Sequence, residues 1–302
     1  AQLTLGYVYR EARRAADADP VEPDIAEGIP EVSEATLDDE VDLDPRTRVV
    51  RTERMTRMAV EALLDGDMRD AINDAEYEDF EVDFPTDEDD RRRVAAVAQE
   101  TLEDNLMGKL DELPDVVYER YEAAVDYSEA HQERDPHFRD LMRAAEDGDA
   151  SAKEAIRGEY RDAPYEDPPE IFDETERNLP YSKTQYARVG VLYDAMLELY
   201  RMASLGIDRQ FSKAIVLSII GAQIWLDDVD DYHDDLAEGQ LTPVTAEYLL
   251  ADDDRDAYEN VVEITERYLD LSQEHATAAD STLTGIAIEY IYRSGKPGVL
   301  PS

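Results

Sequence analysis

The chain has 302 residues, no cysteine, and 75 Asp+Glu against 30 Lys+Arg, a formal net charge of −45. Disulfides and thiolate metal sites are excluded, and no basic surface is available for nucleic acid or for anionic membranes. Hydrophobic residues make up 42% of the chain and fall in periodic runs, so a folded protein is expected. Lysine occurs only at Lys109, Lys153, Lys183, Lys213 and Lys296. Scattered carboxylates with so few lysines suit a salt-rich cytoplasm, because at 1 M salt the Debye length is about 3 Å and self-repulsion is screened.

Helical spacing opens the chain at Leu3–Arg14. The segment 18–48, rich in Asp, Glu and Pro, reads as an irregular acidic stretch. Thr52–Leu64 predicts a helix with Met55, Met58, Ala59, Ala62 and Leu63 on one face. A second irregular acidic stretch covers Tyr77–Asp90, then Arg91–Leu113 predicts a long helix with Val94, Ala98, Leu102, Leu106, Leu110 and Leu113 as its apolar line. Asp115–Glu129, Pro136–Glu146 and Ala150–Glu159 continue the helical pattern, and Arg161–Pro180 reads as a proline-rich loop. The last third is more apolar, with helices predicted at Lys183–Ala203, Asp208–Asp230, Thr245–Ala251, Asp256–Glu274 and Ser281–Arg293. Its apolar run Ala214–Leu226 falls short of the roughly 20 residues that span a bilayer, and the start of the chain lacks the apolar core of a signal peptide. No stretch alternates at period two. The expectation is one all-α domain over 1–302, cytoplasmic and without a membrane span.

Chemistry concentrates at the end of that apolar run. Asp227, Asp228 and Asp231 stand at i, i+1 and i+4, close together on a helix. Such carboxylates repel unless a cation neutralises them. Mg²⁺ is a hard cation that takes one or two carboxylates together with waters and substrate phosphates. In a chain with 75 acids the bland alternative, a solvated acidic face, stands beside this reading. The neighbouring apolar helix, which carries the single tryptophan Trp225, favours a site. Of the histidines, His131, His137 and His275 lack metal-ligand spacing, and His233 lies between Tyr232 and Asp234.

These residues resemble a family, the trans-isoprenyl diphosphate synthases. Lys183-Thr184 is similar to the pair that opens a long helix in the family. Gly221-Ala222-Gln223 precedes Asp227-Asp228-Val229-Asp230-Asp231, which resembles the second aspartate-rich motif. The stretch from Asp235 through Glu238, Gly239, Gln240 and Thr242 to Pro243 resembles the acidic-glycine segment that follows, with Gln240 where the family has lysine. Asp280–Leu283 and Ile286–Arg293 resemble the last helix. The resemblance covers 183–296. Upstream, Asp87, Glu88, Asp89 and Asp90 before Arg91–Arg93 stand where the family has its first aspartate motif, but without the apolar helix that precedes it there, and read more readily as an acidic helix N-terminus.

The resemblance implies a class I isoprenoid-synthase bundle of long helices around a central cavity, acting with Mg²⁺ on allylic and isopentenyl diphosphates, usually as a homodimer. It implies that Asp227, Asp228 and Asp231 carry metal, that Lys183 pairs with the diphosphate, and that Thr184 and Gln223 line the site. Two alternatives stay open. One is a non-catalytic helical relative that binds a prenyl lipid or a partner subunit. The other is an enzyme of the squalene and phytoene synthase kind.

Overall fold

The computed structural model describes residues 2–15, 44–73, 87–110 and 115–302, and every regular element among them is helical. The predicted irregular stretches 18–48 and Tyr77–Asp90 lie largely outside the described residues. The helices are α1 (Gln2–Ala15), α2 (Pro45–Asn73), α3 (Glu88–Leu110), α4 (Asp115–Gln132), α5 (Asp135–Glu146), α6 (Ala150–Ile156), α7 (Glu174–Arg177), α8 (Ser182–Gln185), α9 (Val191–Met202), α10 (Arg209–Ala222), α11 (Tyr232–Glu238), α12 (Pro243–Leu250), α13 (Asp254–Ala278) and α14 (Thr282–Ser294). No helix among the described residues is long and apolar enough to cross a membrane. Contacts divide the chain into two compact units.

The first unit comprises 1–120 and 199–206. Here α1 packs on α2 and α2 on α3, burying Val8, Ala12, Val49, Met55, Met58, Ala95 and Leu106. Helix α2 starts at Pro45 rather than at Thr52 because Asp44 caps it: its Oδ1 accepts from the backbone N–H of Arg46 and Thr47, each at 3.1 Å, and proline suits the first helical position. Asp87 does the same for α3, accepting from the Asp90 N–H at 2.8 Å. The buried line of α3 runs through Ala95 and Leu106, while Val97 is 62% exposed.

The second unit comprises 121–198 and 207–302. Its axis is α10, buried almost throughout from Phe211 to Gly221. Asp208 caps it by accepting from the N–H of Gln210 at 2.7 Å and of Phe211 at 3.1 Å. Among the described helices the most extensive packing is α10 against α13. Gly221 permits the close approach, since a Cβ there would stand 2.8 Å from Leu269 Cδ2. Ser272 donates across the seam to the Ala214 carbonyl at 2.6 Å, and Ala214, Leu269, Ala276 and Ile288 form the apolar cluster that joins α14. Lys213, 1% exposed, is tolerated in α10 because Asp173 and Glu176 pair with it at 2.5 and 2.9 Å. Those two acids come from the expected loop Arg161–Pro180, which contains the short α7.

Three helices depart from the sequence pattern in the same way. The predicted continuous helices Ala150–Glu159, Lys183–Ala203 and Asp208–Asp230 each contain a π turn, at Arg157–Arg161, Tyr186–Gly190 and Gln223–Asp228. A π turn swings the side chains around it out of α register and is frequent at functional sites. Side-chain periodicity does not register such an insertion, which is held by tertiary contacts.

Candidate functional site

The three π turns meet in the second unit. Thr184 on α8 donates to the Tyr160 carbonyl of the first turn and to the Tyr181 carbonyl, each at 3.1 Å. The second turn presents Arg188 to Asp228 of the third, Nη1 to Oδ1 at 3.4 Å. Asp228 is 1% exposed, and its Oδ2 is buried without a hydrogen-bond partner. A buried carboxylate oxygen left unpaired is costly.

Around it lies a cluster of like charges. Asp227 is exposed and accepts from the Gln223 side-chain amide. Asp231 is exposed and Asp235 half-buried. Burial pushes the Asp228 carboxyl up to about 7, with repulsion from Asp227 and Asp235 adding to it, while Arg188 and the nearby Gln223 amide act in the opposite sense. Asp235 is raised to about 6 by burial, against the pull of Arg188 and with repulsion from Asp231 and Asp227. Asp231 is raised by desolvation and by Asp227, Asp230 and Asp234. One guanidinium thus serves several carboxylates, and near neutral pH the set shares protons that a cation would displace.

Two further groups frame the site. His131, at the end of α4, is held down to about 4 by burial and by the charges of Arg134, Arg188 and Lys183, so it is neutral at pH 7. Tyr160 and Tyr186, on the first and second π turns, sit in aromatic clusters. Tyr160 has ring-centroid distances of 4.9 Å to Phe138 and 5.8 Å to Tyr181, and Tyr186 has 5.5 Å to Phe172 and 6.2 Å to Tyr127. Tyr186 also donates to Asp194 Oδ2 at 2.8 Å.

The structure therefore gathers Gln223, Asp227 and Asp228 at one place, with Asp231 within electrostatic range. The aspartates do not form a ready cage: among the described residues no three acidic or histidine side chains are arranged to hold a metal ion. The π turn separates neighbours that an α-helix would present together, turning Asp228 inward while Asp227 and Asp231 face solvent. Lys183 is half-buried on α8 and makes no ion pair with a described residue; its charge reaches His131. Thr184 is buried, and its hydroxyl is spent joining α8 to the first π turn. At Asp87 and Asp90 the capping geometry accounts for the acids, and Asp90 pairs with Arg93 of the same helix.

Two residues of the site receive no role from the sequence reading. Asp235 continues Asp227 and Asp231 at a spacing of four, so the signal was present. Arg188 carries no pattern of its own beyond being a cation inside a buried helix. Three surface grooves of about 500, 550 and 110 Å³ in the second unit are lined by other residues than these aspartates. Comparison with family models, with curated proteins and with solved structures finds no match to this chain.

Proposed function

We propose that the second unit binds a diphosphate ester through Mg²⁺ at Asp227, Asp228 and Asp231, with Asp235 added to the set, and acts on it as isoprenyl diphosphate synthases do. The observation that carries this reading is Asp228, a buried carboxylate with one unpartnered oxygen, flanked by like charges at the end of an apolar helix. The Arg188 ion pair, at 3.4 Å, relieves that arrangement in part, and a cation or protonation would complete the relief. The donor chemistry fits: hard oxygen ligands, few per ion, leave places for water and phosphate oxygens, and Mg²⁺ needs no all-protein cage. When bound, Mg²⁺ supplies Lewis-acid polarisation of the diphosphate oxygens and a template for them.

The chain's own groups complete the reading. With a cation at Asp228, Arg188 would be able to offer its planar fork to a phosphate. Lys183 contributes a charge without a competing ion pair. Gln223 orients Asp227. His131 is neutral at pH 7 and adds no repulsion to the cation. The prenyl tail, with allylic and isopentenyl diphosphates as substrates, rests on the resemblance over 183–296.

The reading is tested by titrating Mg²⁺ and inorganic diphosphate, together and separately, into wild type and Asp228→Asn in molar KCl by calorimetry. Binding of the pair to wild type and its loss in the variant is expected. Equal binding by both proteins, or none by wild type, overturns it. A second reading, a helical relative that binds without transfer, is favoured by Asp87, whose carboxylate is used in capping α3 rather than left for a second metal set.

A further inference from the structure

The π turn that carries Asp228 is gripped from the side away from the acidic cluster. Helix α14 ends at Ser294, which leaves its last carbonyls without partners inside the helix. One of them, the Tyr292 carbonyl, accepts from the Trp225 indole N–H at 2.9 Å. The Trp225 and Tyr292 rings lie nearly parallel, 15° apart with centroids at 6.4 Å. Tyr292 is itself fixed by donating to Glu266 on α13 at 2.9 Å. Gly295 lies against the indole, since a Cβ there would overlap Nε1, Cδ1 and Cε2 of Trp225. Its backbone, at φ −61° and ψ 149°, is one that any residue adopts, so the close approach is what calls for glycine. Lys296 pairs with Asp230, two residues past Asp228, at 2.6 Å. An exposed pair of that kind adds little, so the grip rests on Trp225, which is buried.

Trp225 and Asp228 stand three residues apart. In an α-helix they would share a face. Within the π turn they diverge: Asp228 reaches Arg188 of the second π turn, and Trp225 reaches the end of α14. Both hang on one turn of backbone, so fixing the indole fixes the carboxylate. We propose that Trp225, Tyr292 and Gly295 form a positioning clamp, which sets the rotation of this π turn and so keeps the Asp228 carboxylate aimed at Arg188 and away from solvent. With the clamp released, the turn is free to relax toward α register, and Asp228 joins Asp227 at the surface. That removes the buried carboxylate oxygen without a partner on which the Mg²⁺ reading stands. The consequence for cation binding rests on that reading; the clamp itself does not.

The chain has no cysteine, so Asp228→Cys places a single thiol whose reactivity reads which way position 228 faces. With N-ethylmaleimide in molar KCl, that thiol should react about a hundredfold more slowly than the one from Asp227→Cys, whose position is exposed. Adding Gly295→Ala should speed the reaction at 228 by about tenfold or more. Trp225→Phe, which keeps a ring and loses the donor, should act in the same direction, and it decides the matter if the alanine variant does not fold. Ile288→Val, which loosens α14 against Ala214 and Leu269, is the control for lost stability alone and should leave the rate unchanged. Equal reactivity at 227 and 228, a rate at 228 that neither clamp variant raises, or one that Ile288→Val raises as much, overturns the clamp. With Asp228 in place, the clamp variants should also weaken the joint binding of Mg²⁺ and inorganic diphosphate, read by calorimetry, by about tenfold. Unchanged binding in a variant whose thiol rate has risen overturns the link between clamp and site. No binding by wild type overturns the Mg²⁺ reading alone, because the thiol rates decide the clamp without any ligand.

Discussion

Replacing Asp228 by asparagine should stabilise the protein in the absence of ligand while removing its response to Mg²⁺. The carboxyl is raised from an ordinary 3.8 to about 7. A carboxylate whose folded pKa lies above its unfolded value penalises the folded state once pH exceeds the unfolded value. That penalty grows from about pH 4 and is complete above about pH 7. Three units at 1.36 kcal/mol each come to about 4 kcal/mol. Arg188's attraction is already contained in that figure, but the amide NH₂ of asparagine, placed where Oδ2 has no partner, would lack an acceptor at a cost of about 2 kcal/mol, so a net gain of roughly 2 kcal/mol is expected at pH 8. For a unit of this size that is about 4–8 °C in melting temperature. Differential scanning calorimetry in molar KCl at pH 4, 6 and 8 reads it directly. The gain should be absent at pH 4, where the folded carboxyl is protonated and the unfolded one only partly ionised, and should grow with pH. Saturating Mg²⁺ and diphosphate should close or reverse the gap, because a ligand at a hundred times its Kd adds about 2.7 kcal/mol to wild type alone. A variant less stable than wild type at pH 8 without ligand, or a difference independent of pH, would refute the account of Asp228.

Other outcomes follow from the same geometry. Lys213→Met leaves Glu176, 3% exposed, without its ammonium partner and should cost about 3 kcal/mol near neutral pH. Burial opposes ionisation of Glu176, yet bonds from His275 and Lys213 hold it down to about 2. Its contribution is therefore full above about pH 4.5 and lost as pH falls toward 2, so the gap between wild type and variant should narrow there in acid titrations. Glu247→Leu should cost a similar few kcal/mol in urea denaturation, since Arg161, Tyr181 and Asn260 all donate to that buried carboxylate, at 2.7, 2.7 and 3.1 Å. Gly221→Val should destabilise by about 1–3 kcal/mol by forcing α10 away from Leu269. With a net charge of −45, melting temperature should rise steadily between 0.1 and 1 M KCl as the Debye length falls from about 10 to 3 Å; a salt-independent melting temperature would contradict that reading.

Much of the helical plan was legible because apolar spacing and capping residues act locally. Asp208 before α10 and Ser281 before α14 stand where the pattern places helix starts. The start of α2 was misplaced because the apolar line is weak before Val49, whereas Asp44 and Pro45 supply a capping signal that spacing alone ignores. At the candidate site, the sequence marked Asp227, Asp228 and Asp231, since charge at the end of an apolar helix is visible in one dimension, while Gln223 came in through the resemblance. What it could not convey is that Asp228 turns inward and Asp227 outward, because that depends on a π turn held by packing. The same holds for Arg188, which meets Asp228 only through the fold of two separate helices. Thr184 shows what the sequence leaves out: its hydroxyl joins two backbone segments, the carbonyls of Tyr160 and Tyr181.

The central claim is that the carboxylates around Asp228 hold Mg²⁺ for chemistry on a prenyl diphosphate. Its most direct test is turnover of labelled isopentenyl diphosphate with dimethylallyl, geranyl, farnesyl and geranylgeranyl diphosphates, with and without Mg²⁺, in molar KCl. The assay would be run beside an Asp227→Ala, Asp228→Ala double variant that retains the helical spectrum of wild type. The account predicts a longer prenyl diphosphate from at least one primer, formed only with Mg²⁺ and lost in the double variant. No product from any primer with folded wild-type protein, or product undiminished in the variant, would contradict it.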